Sequence, residues 1–141
     1  MAQYQQTTGR YAPAPFLKWG AMASSRTVYI VEDDDAVRNA MRLLLEIHDY
    51  RVETFRSAEE LLERQVQALE GCLLTDLVMG GMSGVDLIEN LRARGVRIPM
   101  ALMSGRLLTR PEQSRIAGMT FLPKPVAPGD LLDWLESLED E

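Results

Sequence analysis

Five short β-forming runs, each separated from the next by a stretch with helical periodicity, constrain this chain more than any other feature. The runs lie at 27–31, 51–55, 72–75, 99–103 and 119–122. Between the first two, Val37, Met41, Leu44 and Leu45 fall on one face of a helix over 36–47, which Asp34 or Asp35 is placed to cap. Ser57 caps a second helix, and Glu60 three residues on completes a capping box; Leu61, Leu62 and Val66 form its apolar face. A third helix over 83–94 carries Val85, Leu87, Ile88 and Leu91 and stops at Gly95. The segment 109–118 holds Pro111 and few apolar residues and predicts a weak helix at best. A last amphipathic helix over 127–138 turns Leu131, Leu132, Leu135 and Leu138 inward. Strands alternating with helices predict an α/β fold: a parallel sheet, helices on both faces, right-handed crossovers.

Residues 26–141 suit one domain, large enough to bury a core. Residues 1–25 read as a flexible tail or leader, rich in Gln, Ala, Pro and Thr, with Met22 as an alternative start. Within it Phe16, Leu17 and Trp19 are apolar enough to dock on the domain or a neighbour. No apolar stretch approaches the ~20 residues needed to span a membrane, and no signal-peptide h-region follows Met1, so a cytoplasmic protein is expected. The net charge is −6, and past the first 25 residues 13 basic side chains face 21 acidic ones. That balance argues against direct nucleic-acid binding, which needs Lys and Arg patches. The single Cys72 lies in an apolar run and reads as a packing residue.

The chemistry sits where the runs end. Glu32, Asp33 and Asp34 follow the first, Asp76 the third, Ser104 the fourth, and Lys124 the fifth. In a parallel sheet those ends share one edge, the edge where α/β proteins bind ligands. Carboxylates packed there repel one another, at roughly 4 kcal/mol per pair for ~4 Å and an effective dielectric near 20. A cation or a proton must resolve that conflict, and Mg²⁺ suits a site of a few carboxylates. An aspartate can also act as a nucleophile toward phosphorus, with Lys124 and the Ser104 hydroxyl taking up the phosphoryl oxygens. Taken singly these residues have plain explanations: a solvated helix N-terminus at 32–35, a turn aspartate, a surface lysine. Their joint placement at successive strand ends is what argues for a site. His48, alone at a helix end, has no ligand partners nearby in sequence.

The motifs Val31-Glu32-Asp33-Asp34, the loop opening Asp76-Leu77-Val78-Met79-Gly80-Gly81, Met103-Ser104-Gly105 and Phe121-Leu122-Pro123-Lys124-Pro125 resemble the receiver domain of two-component response regulators. The resemblance covers roughly 27–138. It implies a flavodoxin-like doubly wound sheet of strand order 2-1-3-4-5, and a phosphoprotein in which Asp76 accepts a phosphoryl group from a sensor histidine kinase as an aspartyl phosphate. It implies Mg²⁺ as cofactor, held by Asp33, Asp76 and the Val78 backbone carbonyl, with Glu32 acting through water. Ser104 and Lys124 would bind the phosphoryl group, Ser104 and Phe121 would form the switch pair, and Lys124–Pro125 would be cis. Catalysis would be limited to phosphorylation from a donor and autodephosphorylation.

Gly80 stands where the family usually has proline, which is expected to loosen the loop and alter the phosphoryl lifetime. The spacing from Ser104 to Lys124 is about two residues short of the family's usual spacing, which predicts a truncated fourth helix and an altered partner or homodimer face. No effector segment follows Glu141, so a stand-alone receiver or a piece of a larger regulator is expected, with an output protein or an effector domain elsewhere. Arg38, Met41 and Leu45 are candidate kinase contacts, the last two equally candidates for the core. Two other readings compete. Asp33-Asp34-Asp35 also fits the first motif of haloacid-dehalogenase-like phosphatases, but 121–125 lacks the acidic pair those enzymes need. A phosphorylation-independent interaction module would keep the fold and dispense with the switch.

Overall fold

A computed structural model describes residues 27–139. The tail at 1–25, with Phe16, Leu17, Trp19 and Met22, lies outside the described residues. Five parallel strands, β1 (Thr27–Val31), β2 (Arg51–Phe55), β3 (Gly71–Asp76), β4 (Met100–Ser104) and β5 (Thr120–Pro123), stand in the order β2-β1-β3-β4-β5. The helices are α1 (Asp35–Ile47), α2 (Ala58–Leu62), α3 (Gly84–Ala93), α4 (Arg110–Arg115) and α5 (Pro128–Glu139). This is the expected doubly wound fold.

Period-two alternation divides the core in two. Val28, Ile30, Cys72, Leu74, Ala101, Met103 and Leu122 face one side of the sheet, where Met41 and Leu45 of α1 and Leu131, Leu135 and Leu138 of α5 cover them. Tyr29, Val31, Leu73, Met100 and Leu102 face the other, under Ala58 and Leu61 of α2 and Val85, Leu87, Ile88 and Leu91 of α3. The central strands β1, β3 and β4 are sealed on both faces, which is why they read as unbroken apolar runs. Cys72 is buried as a packing residue, and burial pushes its thiol far up. Truncating a fully buried side chain such as Leu45 or Leu102 to alanine is expected to cost about 2–5 kcal/mol.

Four local details refine the sequence reading, and two of them, the Glu60 bond and the place of Val66, depart from it. Asp34 caps α1, accepting from the Ala36 and Val37 amides. Ser57 caps α2 through the Glu60 amide, but the Glu60 carboxylate bonds the Arg56 amide (2.8 Å) instead of closing a box on Ser57. α2 stops at Leu62, where the Glu63 and Arg64 amides tighten onto the third residue back, so Val66 belongs to a separate 3-10 turn, Val66–Ala68. The fourth helix, expected to be weak, is a six-residue α4 with a full capping box: Thr109 and Glu112 exchange side-chain and backbone bonds of 3.2 and 2.8 Å. Pro111 sits in its first turn, where no backbone donor is required. None of its residues is buried; the following Ile116 anchors it.

Candidate functional site

Strand register brings the predicted residues to one edge. Val31 pairs Thr75 across β1 and β3, Asp76 pairs Met103 across β3 and β4, and Ser104 pairs Pro123 across β4 and β5. Each chemical group therefore leaves the sheet at its last strand residue or just beyond it. The loop after β3 is tied at both ends: the Leu77 amide bonds the Met103 carbonyl (2.8 Å) and the Gly84 amide bonds the Leu77 carbonyl (2.9 Å). A Cβ on Gly84 would lie 2.2 Å from the Asp76 carbonyl oxygen and 2.7 Å from Leu102 Cδ1, so α3 begins hard against the backbone of Asp76.

At the edge, carboxylate oxygens of Glu32, Asp33 and Asp76 lie within 4.8 Å of one another. Glu32 is 1% exposed, Asp76 5% and Ser104 2%, which rules out a simple solvated helix start for Glu32. The charge conflict is met by the lysine: Lys124 Nζ lies 2.9 Å from Glu32 Oε1 and 3.1 Å from Asp76 Oδ2. Its backbone is set by a 2.8 Å bond from the Lys124 amide to the Ser104 carbonyl, ahead of a cis Lys124–Pro125 peptide. Burial pushes the Glu32 carboxyl up more than the Lys124 hydrogen bond pulls it down. Burial lowers the Lys124 ammonium, but its bonds to Glu32 and Asp76 outweigh that and raise it, so it stays charged. The other Glu32 oxygen accepts the Asp34 amide at 3.1 Å.

Three hard oxygen donors at one point fit a divalent cation such as Mg²⁺. Val78 follows Asp76 by two residues at the rim, its side chain exposed. The Ser104 hydroxyl is engaged locally, donating to the Arg106 carbonyl (2.8 Å) and accepting the Arg106 amide (3.0 Å). Phe121 is half-buried beside a cavity of about 170 Å³ lined also by Leu102, Leu108, Ile116 and Met119.

Some expected residues are absent from the site. Asp34 caps α1, and Asp35 pairs with Arg38 on the exposed face, so the spaced aspartates of a phosphatase motif are not assembled. Met41 and Leu45 are buried against the sheet and are unavailable to a partner; Arg38 folds back, its Nη1 2.9 Å from the Glu32 carbonyl. The outward apolar residues of α1 are Leu43 and Ile47. His48 ends α1, its Nδ1 2.9 Å from the Leu44 carbonyl.

Residues 28–136 match the model of the response regulator receiver domain. The chain belongs to that family. The receiver domain is 35% identical over 106 residues to the transcriptional regulatory protein FixJ of Azorhizobium caulinodans, covering 74% of this chain and 50% of that protein. It is 31% identical over 112 residues to the transcriptional regulatory protein TdiR of Thauera aromatica, covering 78% and 49%. The receiver thus spans about half the length of these curated relatives. Among solved structures, response regulator StyR superposes with a TM-score of 0.72 at 36% identity, over 82% of this chain and 59% of that one. FixJ-N superposes with a TM-score of 0.71 at 30% identity, over 82% and 94%. Among the described residues no helix is long and apolar enough to cross a membrane.

Proposed function

We propose that residues 26–141 form a phosphorylation-driven signalling switch whose acceptor is Asp76. The observation that carries this reading is the Lys124 ammonium bridging Glu32 and Asp76 at the strand edge, beside Asp33. An Asp76 carboxylate oxygen attacks the phosphorus of a phosphohistidine on a sensor kinase. The P–N bond breaks, and the imidazole nitrogen leaves with the electron pair and picks up a proton. Lys124 is close enough to Asp76 to move its charge onto a phosphoryl oxygen, and Ser104 binds another after releasing Arg106. Asp33, Asp76 and the Val78 carbonyl would hold Mg²⁺, with Glu32 acting through water; the ion supplies charge neutralisation at the phosphoryl oxygens.

The output follows from the same parts. Ser104 moves toward the phosphoryl group, and the cavity beside Phe121 gives its ring room to turn inward. The altered face then meets an output protein, an effector domain or a second copy. Water attack on the aspartyl phosphate resets the switch, so enzymatic activity is confined to its own acceptor. A cytoplasmic location and the absence of direct nucleic-acid contact by these residues belong to the same reading. Intact mass after incubation with Mg²⁺ and acetyl phosphate tests it. Gain of one phosphoryl group, abolished in Asp76→Asn, is the expected result; equal gain in both, or none in either, overturns it.

A further inference from the structure

We infer that Glu59, on α2, is a positioning residue for the loop between β3 and α3: its carboxylate holds the segment that carries Val78 at Met82, beyond the two glycines. This rests on the Asp76 reading above.

The loop needs such a hold. Its ends are fixed at Leu77 and Gly84, but between them stand adjacent Gly80 and Gly81, which offer no side chain to pack. A Cβ at Gly80 would meet nothing within 4 Å. Glu59 Oε2 accepts the Met82 amide at 2.9 Å, a bond that crosses from α2 to the far end of the loop, just past its two glycines. Gly81 makes room for it, since a Cβ there would lie 2.6 Å from Glu59 Oε2 and 3.1 Å from Oε1. Glycine at 81 and glutamate at 59 are thus complementary in shape as well as in hydrogen bonding.

The anchor is rigid at its base. Ser57 caps α2, and Ala58 and Leu61 on either side of Glu59 are fully buried. The Met82 amide holds the Glu59 carboxyl below its usual range, in keeping with an ionised acceptor. A glutamate in the first turn of a helix is favoured electrostatically in any case. That explanation alone needs neither the approach of Gly81 nor a bond to another element. With Leu77 and Met82 both fixed, the span left free is only 78–81, and the freedom that Gly80 and Gly81 would give it is curtailed, so the Val78 carbonyl is oriented before a cation arrives.

The test compares Glu59→Ala and Glu59→Gln with the parent, Gln keeping a neutral acceptor of nearly the same length. In metal-free protein, amide hydrogen exchange at Met82 is expected to quicken by about tenfold in Glu59→Ala and to return most of the way in Glu59→Gln. With acetyl phosphate, the Mg²⁺ concentration for half-maximal phosphorylation is expected to rise about three- to tenfold in Glu59→Ala, while the rate at saturating Mg²⁺ stays within about twofold. A thermal midpoint close to the parent's shows that the variant is folded. Parent-like Met82 exchange, or faster exchange with unchanged Mg²⁺ dependence, overturns the inference. A parent that takes up no phosphoryl group defeats the Asp76 reading instead, and with it the role assigned to the tether, even where Met82 exchange still responds.

Discussion

The Ser104 hydroxyl and the Arg106 main chain hold each other twice, with Oγ donating to the carbonyl at 2.8 Å and accepting the amide at 3.0 Å. The Arg106 guanidinium in turn forms two bonds to Glu112 in the first turn of α4, at 3.0 and 2.8 Å. A hydroxyl drawn toward Asp76 must release both backbone bonds, and the release is passed to α4. Phosphorylation is expected to shift the Arg106 and Glu112 amide resonances together. In Ser104→Ala that joint shift is lost, and urea unfolding is expected to show a cost of about 1 kcal/mol for the missing bonds.

Lys124→Met tests the bridge. Glu32 and Asp76 would face each other with no cation between them, Glu32 almost fully buried. Because Lys124 is a quarter exposed, the expected loss in Mg²⁺-free buffer is about 1–3 kcal/mol rather than the full penalty of a sealed charge. Denaturant titrations with and without Mg²⁺ check it, with added Mg²⁺ restoring part of the loss. Phosphorylation by acetyl phosphate is expected to slow by about 10²-fold, as when one donor to a developing anion is removed.

Glu112 gives a pH signature. The Arg106 guanidinium, with the Thr109 amide second, lowers its carboxyl from 4.5 to about 2. A carboxyl depressed on folding contributes fully above 4.5, and its contribution fades as pH falls through about 2. The Glu112 carboxyl carbon, followed by NMR, is expected to titrate well below 4.5 and to move upward in molar salt, since the pair is exposed. A midpoint at the ordinary value would mean that the pair and the cap are open in solution.

Arg115 ties α4 to α3. Its guanidinium meets Asp86 at 2.5 Å and Glu89 at 2.6 Å, the latter with a second bond at 3.2 Å. Six residues do not make a self-sufficient helix, and none of those in α4 is buried. Arg115→Ala is therefore expected to quicken amide exchange across α4 about three- to tenfold, while global stability shifts by less than about 0.5 kcal/mol, as befits exposed pairs. Equal slowing or quickening across all elements would contradict a local clamp.

The gathering of Glu32, Asp33, Asp76, Ser104 and Lys124 at one edge was legible because parallel strands end at one edge, whereas the strand order came only from the resemblance of the strand-end motifs to receiver domains. Met41 and Leu45 show where the reading divides: periodicity puts them on one face of α1, and only the structure shows that this face is the core. α4 was nearly invisible, since its signal is a capping box and not an apolar stripe; Thr109 with Glu112 three residues on was the clue available in sequence. The Glu59–Met82 bond joins residues 23 apart through a side chain on an exposed surface, and no periodicity marks such a contact.

Gly84 carries a consequence for the geometry around Asp76. Because α3 starts against the Asp76 backbone, the depth of Asp76 beneath the rim is dictated by how closely a helix can approach a strand. A single methyl group at position 84 could not be seated unless α3, the Asp76 backbone or Leu102 moved, and any such shift would disturb the approach of Asp76 to Lys124. On the proposed reading of Asp76 as acceptor, its chemistry is thereby sensitive to a residue that lends the site no side chain.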